Sequence, residues 1–298
     1  MMKFPINALI RLATAGCLMA PLPLLAKTAP EIMKAVDDNY RSGFTTAIVK
    51  VQLSTCKYVL DNTAINCKEK PRVTILEVGE KRFGHQNRDS RALAFVFQPI
   101  TDKGVGLLTY EYANVDREND VLLYLPALEK VRRVVSGGDG NEDGGSFFGT
   151  EFFVDDTLLK KVEEWDFTMV GEDTQDNRPA WVIECVPKPR RAKKTQYGKT
   201  NIWIDKERYV VLREDIYNKA GKLYRQRLNK DFNFIDNRVW ISKRQMMNNF
   251  ATNRITVVQN ISATYNKEVP DELMTERSLT DPSFKERILA TLRTYYTK

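Results

Sequence analysis

The sequence predicts a mainly β protein: one strongly curved antiparallel sheet forming an open, incomplete β-barrel with capping helices. Three observations predict it. Between Phe44 and Tyr265, apolar residues recur with period two for about 220 residues, the periodicity of half-buried strands. Short turns join the runs in sequence, which builds an antiparallel meander. Around a dozen such strands exceed what a flat sheet holds, so the sheet must curl or split. No repeat or long linker divides the chain, and residues 27–298 are read as a single domain.

The elements follow in order. Met1–Arg11 carries Lys3 and Arg11 and no acid, and Leu12–Leu25 is an apolar run ending in Leu24-Leu25-Ala26. This pattern predicts a signal peptide over residues 1–26, cleaved after Ala26, and an exported protein of the periplasm. The run is shorter than the ~20 residues of a membrane span. Cys17 lacks the Leu three places before it that a lipoprotein site carries. Lys27–Arg41 reads as a helix with Ile32, Val36 and Tyr40 on one face. Strands are expected at 44–53, 72–83, 91–97, 105–112, 121–125 and 130–135. Val154–Lys161 reads as a short helix. Strands resume at 164–170, 180–186, 200–204, 209–217, 223–235, 239–247 and 255–265, the last closing the sheet. A final helix starts at Asp281-Pro282, an N-cap followed by proline, with Phe284, Ile288 and Leu292 as its buried stripe.

The strand 223–235 separates Tyr224, Leu228, Phe232 and Phe234 on one face from Arg225, Arg227, Asn229 and Asp231 on the other. Cys56 and Cys67 flank a stretch whose midpoint falls between Asp61 and Asn62. A two-residue turn there pairs position 56 with 67, so a Cys56–Cys67 disulfide is expected in an oxidising compartment. Cys185 lies in an apolar run and reads as a buried small hydrophobe.

The chain carries a net charge of +7, two units of which belong to the leader. This mild, diffuse excess suits transient contact with an anionic membrane surface and does not argue for nucleic acid. The basic run Lys188–Lys194 is either a solvated hairpin tip or an electrostatic foot. Catalytic constellations are missing: there is one histidine, His85, and no Gly-x-Ser-x-Gly elbow, so no enzyme is expected. Too few His and Cys remain for zinc, and the glycines of 137–145 lack phosphate-loop spacing. No metal or cofactor is therefore predicted. The acids Asp139, Glu142, Asp143, Asp155 and Asp156 suit a glycosidase pair or calcium less well than helix capping and a solvated loop.

The most informative stretch is Leu122–Asp156. It combines a strand pair, the exposed Arg132 and Arg133, a glycine- and acid-rich loop, and the pairs Phe147-Phe148 and Phe152-Phe153. A curved sheet with few helices leaves inward apolar surface uncovered, and an apolar cavity in an exported protein suggests acyl chains. The four phenylalanines are candidate lid or cavity contacts; the two arginines are candidates for headgroup contact or for latching the lid.

Leu123–Arg133 (LYLPALEKVRR), Gly145–Phe153 (GSFFGTEFF) and Asp155–Leu158, with Arg178–Pro187, Ile202–Arg213 and Val239–Met246, resemble the LolA-like group of outer-membrane lipoprotein-sorting proteins. The resemblance spans nearly the whole mature chain. It implies a LolA/LolB-like incomplete barrel capped by helices around an apolar cavity. It also implies a periplasmic carrier of lipoprotein or lipid acyl chains between inner and outer membrane. The alternative it leaves open is a cargo-free adaptor of an inner-membrane exporter of the resistance-nodulation-division type. The acidic glycine loop and the basic run 188–194 depart from the family pattern at the cavity mouth, where cargo choice is made.

Overall fold

The computed structural model describes residues 27–61, 64–134 and 146–296. The expected leader and the Gly137–Gly145 loop, with Asp139, Glu142 and Asp143, lie outside these described residues.

Helix α1 (Ala29–Ser42) opens with a capping box: the Thr28 hydroxyl accepts from the Glu31 N–H, and the Glu31 carboxylate accepts from the Thr28 N–H at 2.8 Å. The strands are β1 (Thr46–Asp61), β2 (Ala64–Cys67), β3 (Arg72–Phe83), β4 (Asp89–Gln98), β5 (Gly106–Glu111), β6 (Asp120–Leu125) and β7 (Lys130–Arg133). Helix α2 (Val154–Thr157) follows, one turn long rather than the expected eight residues. Then come β8 (Trp165–Gln175), β9 (Arg178–Pro187), the turn α3 (Pro189–Ala192), β10 (Tyr197–Asp205), β11 (Val211–Asn218), β12 (Leu223–Ile235), β13 (Val239–Asn249) and β14 (Arg254–Tyr265). Helices α4 (Glu276–Thr280) and α5 (Pro282–Arg293) end the chain, with Asp281 capping α5 through the Phe284 N–H at 2.9 Å.

All strands belong to one antiparallel, 14-stranded open sheet in the order β7-β6-β5-β4-β3-β1-β14-β13-β12-β11-β10-β9-β8, with β2 paired to β1 alone. The meander holds within two wings, β3–β7 and β8–β14. The expectation that 255–265 closes the sheet does not hold. β1 pairs with β3 on one side and β14 on the other, so the free edges are β7 and β8.

Both faces of the β3–β6 wing are covered because its strands are apolar on both faces. Along β1, Ala47, Val49, Val51 and Leu53 face inward, whereas Ile48 joins Leu93, Phe95 and Leu108 on the outer face. There they pack against Leu279, Phe284, Ile288, Leu289 and Leu292 of α4 and α5. The two terminal helices therefore lie on opposite faces of the sheet. Helix α1 lies inside, its Ile32 and Met33 packed against Ile183, Ile202 and Ile204 of the other wing; α5 lies outside.

Cys56 and Cys67 are bridged, with Cα atoms 5.7 Å apart. The register differs from expectation by two residues: Tyr58, not Cys56, faces Cys67, and Asp61 faces Ala64. The bridge joins diagonal positions on one face rather than directly opposed ones. Cys185 is fully buried, and burial pushes its thiol up to about 12.

Candidate functional site

Between the wings lies a cavity of about 850 Å³, within the 300–1,000 Å³ typical of ligand sites. Its apolar lining includes Met33 and Val36 of α1, Val49, Val51 and Leu53 of β1, and Val258 of β14, with further apolar residues from β3, β10, β11 and β13. The roof is the segment 146–161. It begins with a tight loop in which the Phe147 N–H donates to Phe152 O at 2.8 Å. Gly149 turns this loop at φ 71°, a conformation that favours glycine.

Buried ion pairs fix this strap. Arg225 is completely buried and pairs with Asp156 at 2.6 Å while donating to Glu151 O at 3.1 Å. Its guanidinium lies 4.0 Å from the centre of the Phe153 ring. Asp156 also accepts from the Phe153 N–H at 2.7 Å and from the Tyr197 hydroxyl. Burial, reinforced by the Asp156 charge, pushes the Tyr197 phenol well above its ordinary value. Glu151 accepts from Asn249 at 2.7 Å and Arg254 at 2.9 Å, and Asp155 pairs with Arg191 at 2.5 Å. The strap acids thus hold the roof to β10 and β12–β14 and to α3. A catalytic or calcium role for Asp155 and Asp156 finds no support in this arrangement, since both are engaged by arginines.

A second network lies in the cavity wall. Glu214 of β11 pairs with Arg227 at 2.6 Å and with Lys160 of the strap. Burial opposes ionisation of Glu214, but Lys160 and Arg227 outweigh it and hold the carboxyl down at about 2. Glu111 of β5 is buried and accepts from the Leu159 N–H at 2.9 Å. Burial pushes its carboxyl up to about 7, with the Glu80 charge adding to the rise.

The candidate residues from the sequence divide. Phe147 and Phe152 line the cavity. Phe148 packs beside Phe147, ring centroids 4.7 Å apart, in the apolar cluster behind the wall. Phe153 faces Arg225 instead. Arg133 lines the mouth and pairs with Asp120, whereas Arg132 is exposed on the edge strand β7. The cations in the wall, Arg227 and Lys160, and the buried Arg225 were not singled out from sequence. The signal was the alternation in β12, which looks the same whether its charged face meets water or buried acids.

The basic run 188–194 is engaged across the mouth. Arg190 pairs with Asp116 at 3.1 Å and Glu118 at 3.2 Å, and Lys194 pairs with Glu118. These contacts clasp the β9–β10 connection to the β5–β6 turn, with Glu118 and Lys194 both lining the cavity. Among the described residues, no helix is long and apolar enough to cross a membrane.

A family model described as an uncharacterized protein (a "-like" family) matches residues 88–281. The chain belongs to that family. Members of solved structure groups share its LolA-like fold. An outer membrane lipoprotein-sorting protein domain from Vibrio parahaemolyticus has a TM-score of 0.71 at 19% identity, over 85% of this chain and 98% of that one. A DUF1329 family protein from Desulfovibrio piger has a TM-score of 0.73 at 22% identity, over 84% and 97%. A LolA superfamily protein from Nitrosomonas europaea has a TM-score of 0.58 at 15% identity, over 84% and 99%. At these identities the likeness is one of fold. No curated protein matches the sequence.

Proposed function

We propose that this LolA-like protein is a periplasmic carrier that holds the acyl chains of a lipid or lipoprotein in its cavity. It is exported by cleavage after Ala26 and moves cargo between inner and outer membrane, touching membrane surfaces only transiently. The observation that carries the reading is the cavity of about 850 Å³ between the wings, with aliphatic side chains from α1, β1 and β14 in its lining. Each methylene buried there contributes ~0.8 kcal/mol to loading. Phe147 and Phe152 are the strap's contacts with the chains, Phe148 backs them, and Arg133 stands at the mouth. The pairs on Arg225, Arg254 and Arg191 argue for a strap that stays in place, so cargo enters beside it rather than beneath a hinged lid.

A cargo-free adaptor of an inner-membrane exporter would be expected to fill its concave face with its own side chains, so the open cavity favours the carrier. The test is direct. Protein purified from its own periplasm should carry lipid in native mass spectrometry, and the delipidated protein should bind a fluorescent acyl probe. Recovery of no lipid together with no probe binding refutes the carrier.

A further inference from the structure

Around the strap, three cations meet two carboxylates: Arg225, Arg227 and Lys160 against Asp156 and Glu214. The set holds one positive charge in excess, and Lys160, Arg227 and Glu214 all line the cavity. The adjoining charges, Arg191 with Asp155 and Lys161 with Glu164, are one of each sign in each case and do not absorb the excess. Hydrogen bonding is lopsided in the same sense. Trp165 Nε1, Arg191 Nε and Arg227 Nε are buried donors with no acceptor among the described residues, and all three side chains line the cavity. One lining acceptor, Asn229 Oδ1, is similarly unpaired. Donors and positive charge therefore gather on the wall formed by the strap, β8 and β12, while Val49, Val51 and Val258 supply aliphatic surface elsewhere.

We infer that the cargo is an anionic amphiphile whose carboxylate or phosphodiester headgroup sits beside Lys160 and Arg227, with its chains along the aliphatic wall. This inference rests on the carrier reading and deepens it by naming the cargo's chemical class. A cation that is part-exposed in the empty cavity loses its water when acyl chains enter. The loss is costly unless the entering molecule brings the compensating charge. Lys160, with its side chain 24% exposed, is in that position. A neutral head, such as the amide and thioether of a triacylated cysteine, would leave the excess charge without a partner in a low dielectric. An anion supplies both the charge and the missing acceptors, in charge-assisted bonds roughly twice as strong as neutral ones.

The test compares matched probes on the full exported chain after delipidation, at pH 8. A pyrene-labelled fatty acid should bind about tenfold more tightly than its methyl ester, the difference expected of one charged hydrogen-bonded contact. Lys160→Gln should bring the acid down to the ester's affinity, Lys160→Arg should restore it, and Glu214→Gln should tighten the acid further. The ester should respond less than the acid to each of the three changes. A pyrene-labelled phosphatidylglycerol and its matched diacylglycerol distinguish the sources: a larger preference for the charged member than in the acid–ester pair assigns a phosphodiester, a smaller one a carboxylate. Equal affinity of acid and ester in the unaltered protein overturns the inference while leaving the carrier standing, and needs no variant to fold. Parallel shifts of acid and ester across the variants overturn it as well. Binding of none of the probes refutes the carrier reading itself.

Discussion

The two faces of the sheet are built by opposite rules. On the outer face of the β3–β6 wing, Leu93, Phe95 and Leu108 meet α4 and α5 in a contiguous apolar cluster, with the ion pair of Arg293 and Glu77 beside it. On the inner face of the β8–β14 wing, aliphatic residues share the wall with Arg227, Glu214 and Lys160, and space is left unfilled. The outer face is closed by helix packing. The inner face keeps room, and it holds its roof with buried ion pairs as well as with the packing of Phe152 and Val154. Stability and binding are thus assigned to different surfaces of the same strands, and single substitutions should separate them.

The largest effect should come from the inner ionic anchor. Arg225→Met leaves Asp156 buried without its cation, and breaking one side of such a pair costs about 3–5 kcal/mol. Urea unfolding should show the loss. The double variant Arg225→Met with Asp156→Leu should recover much of it, because two apolar groups need no partner. Equal destabilisation by the single and double variants would show that shape, not charge, secures the strap.

Next is the outer core. Leu279 is fully buried against α5, and Leu279→Ala should cost about 3 kcal/mol in the same measurement. Acyl-probe affinity measured well below the melting temperature should be unchanged. A binding defect would mean that the outer helices set the shape of the cavity, and the division between faces would fail.

The sequence carried one of these faces more plainly than the other. Period-two alternation located nearly every strand, and the Asp281-Pro282 start located α5. The LAFVF run of β4 is apolar on both faces, and both faces are buried, with Leu93 and Phe95 outside and Ala94 and Val96 on the opposite side. The insertion of β1 between β3 and β14 was not legible, because Thr55 meets Thr256 across some two hundred residues and leaves no local mark. Nor was the inward turn of Arg225. A lone arginine between Tyr224 and Gln226 looks solvated until Asp156, distant in sequence, is placed beside it. In the sequence Asp155 and Asp156 suit helix capping, and their partners, Arg191 of α3 and Arg225 of β12, lie where no spacing rule connects to them. Alternation in β12 is itself broken at Asp231, which adopts φ 55°.

A pH series sharpens the comparison at smaller amplitude, because two buried carboxylates on the inner side are shifted in opposite directions. Glu214 is held at about 2, below its ordinary 4.5, so its contribution is present above pH 4.5 and lost as pH falls toward 2. Glu111 is raised to about 7, so the folded state binds the extra proton between pH 4.5 and 7, and stability declines as pH rises through that window. Glu111→Gln keeps an acceptor for the Leu159 N–H and removes the charge. It should stabilise the protein at pH 8 by about 1–3 kcal/mol and flatten its stability between pH 5 and 8. An unchanged pH profile would show that water reaches Glu111.

The smallest thermodynamic effect should accompany an informative kinetic one. The clasp across the mouth joins Arg190 and Lys194 to Asp116 and Glu118, all substantially exposed, with Glu118 at 54%. Exposed pairs contribute little to stability and are screened by salt, so Glu118→Gln should leave the melting temperature within error. The clasp nevertheless bridges the two wings at the cavity mouth, where cargo must pass. If it slows passage, acyl-probe release from the unaltered protein should accelerate as salt rises from 50 to 500 mM. In Glu118→Gln, release should already be fast at low salt and insensitive to further addition. Equilibrium affinity should move much less than either rate, because the clasp touches the mouth rather than the acyl chains. Release rates that respond equally to salt in both proteins would place the entry route elsewhere, beside the free edge of β8. That result would shift control of loading from charge to the edge-strand backbone, and the inner face would then owe its ions to anchoring the roof alone.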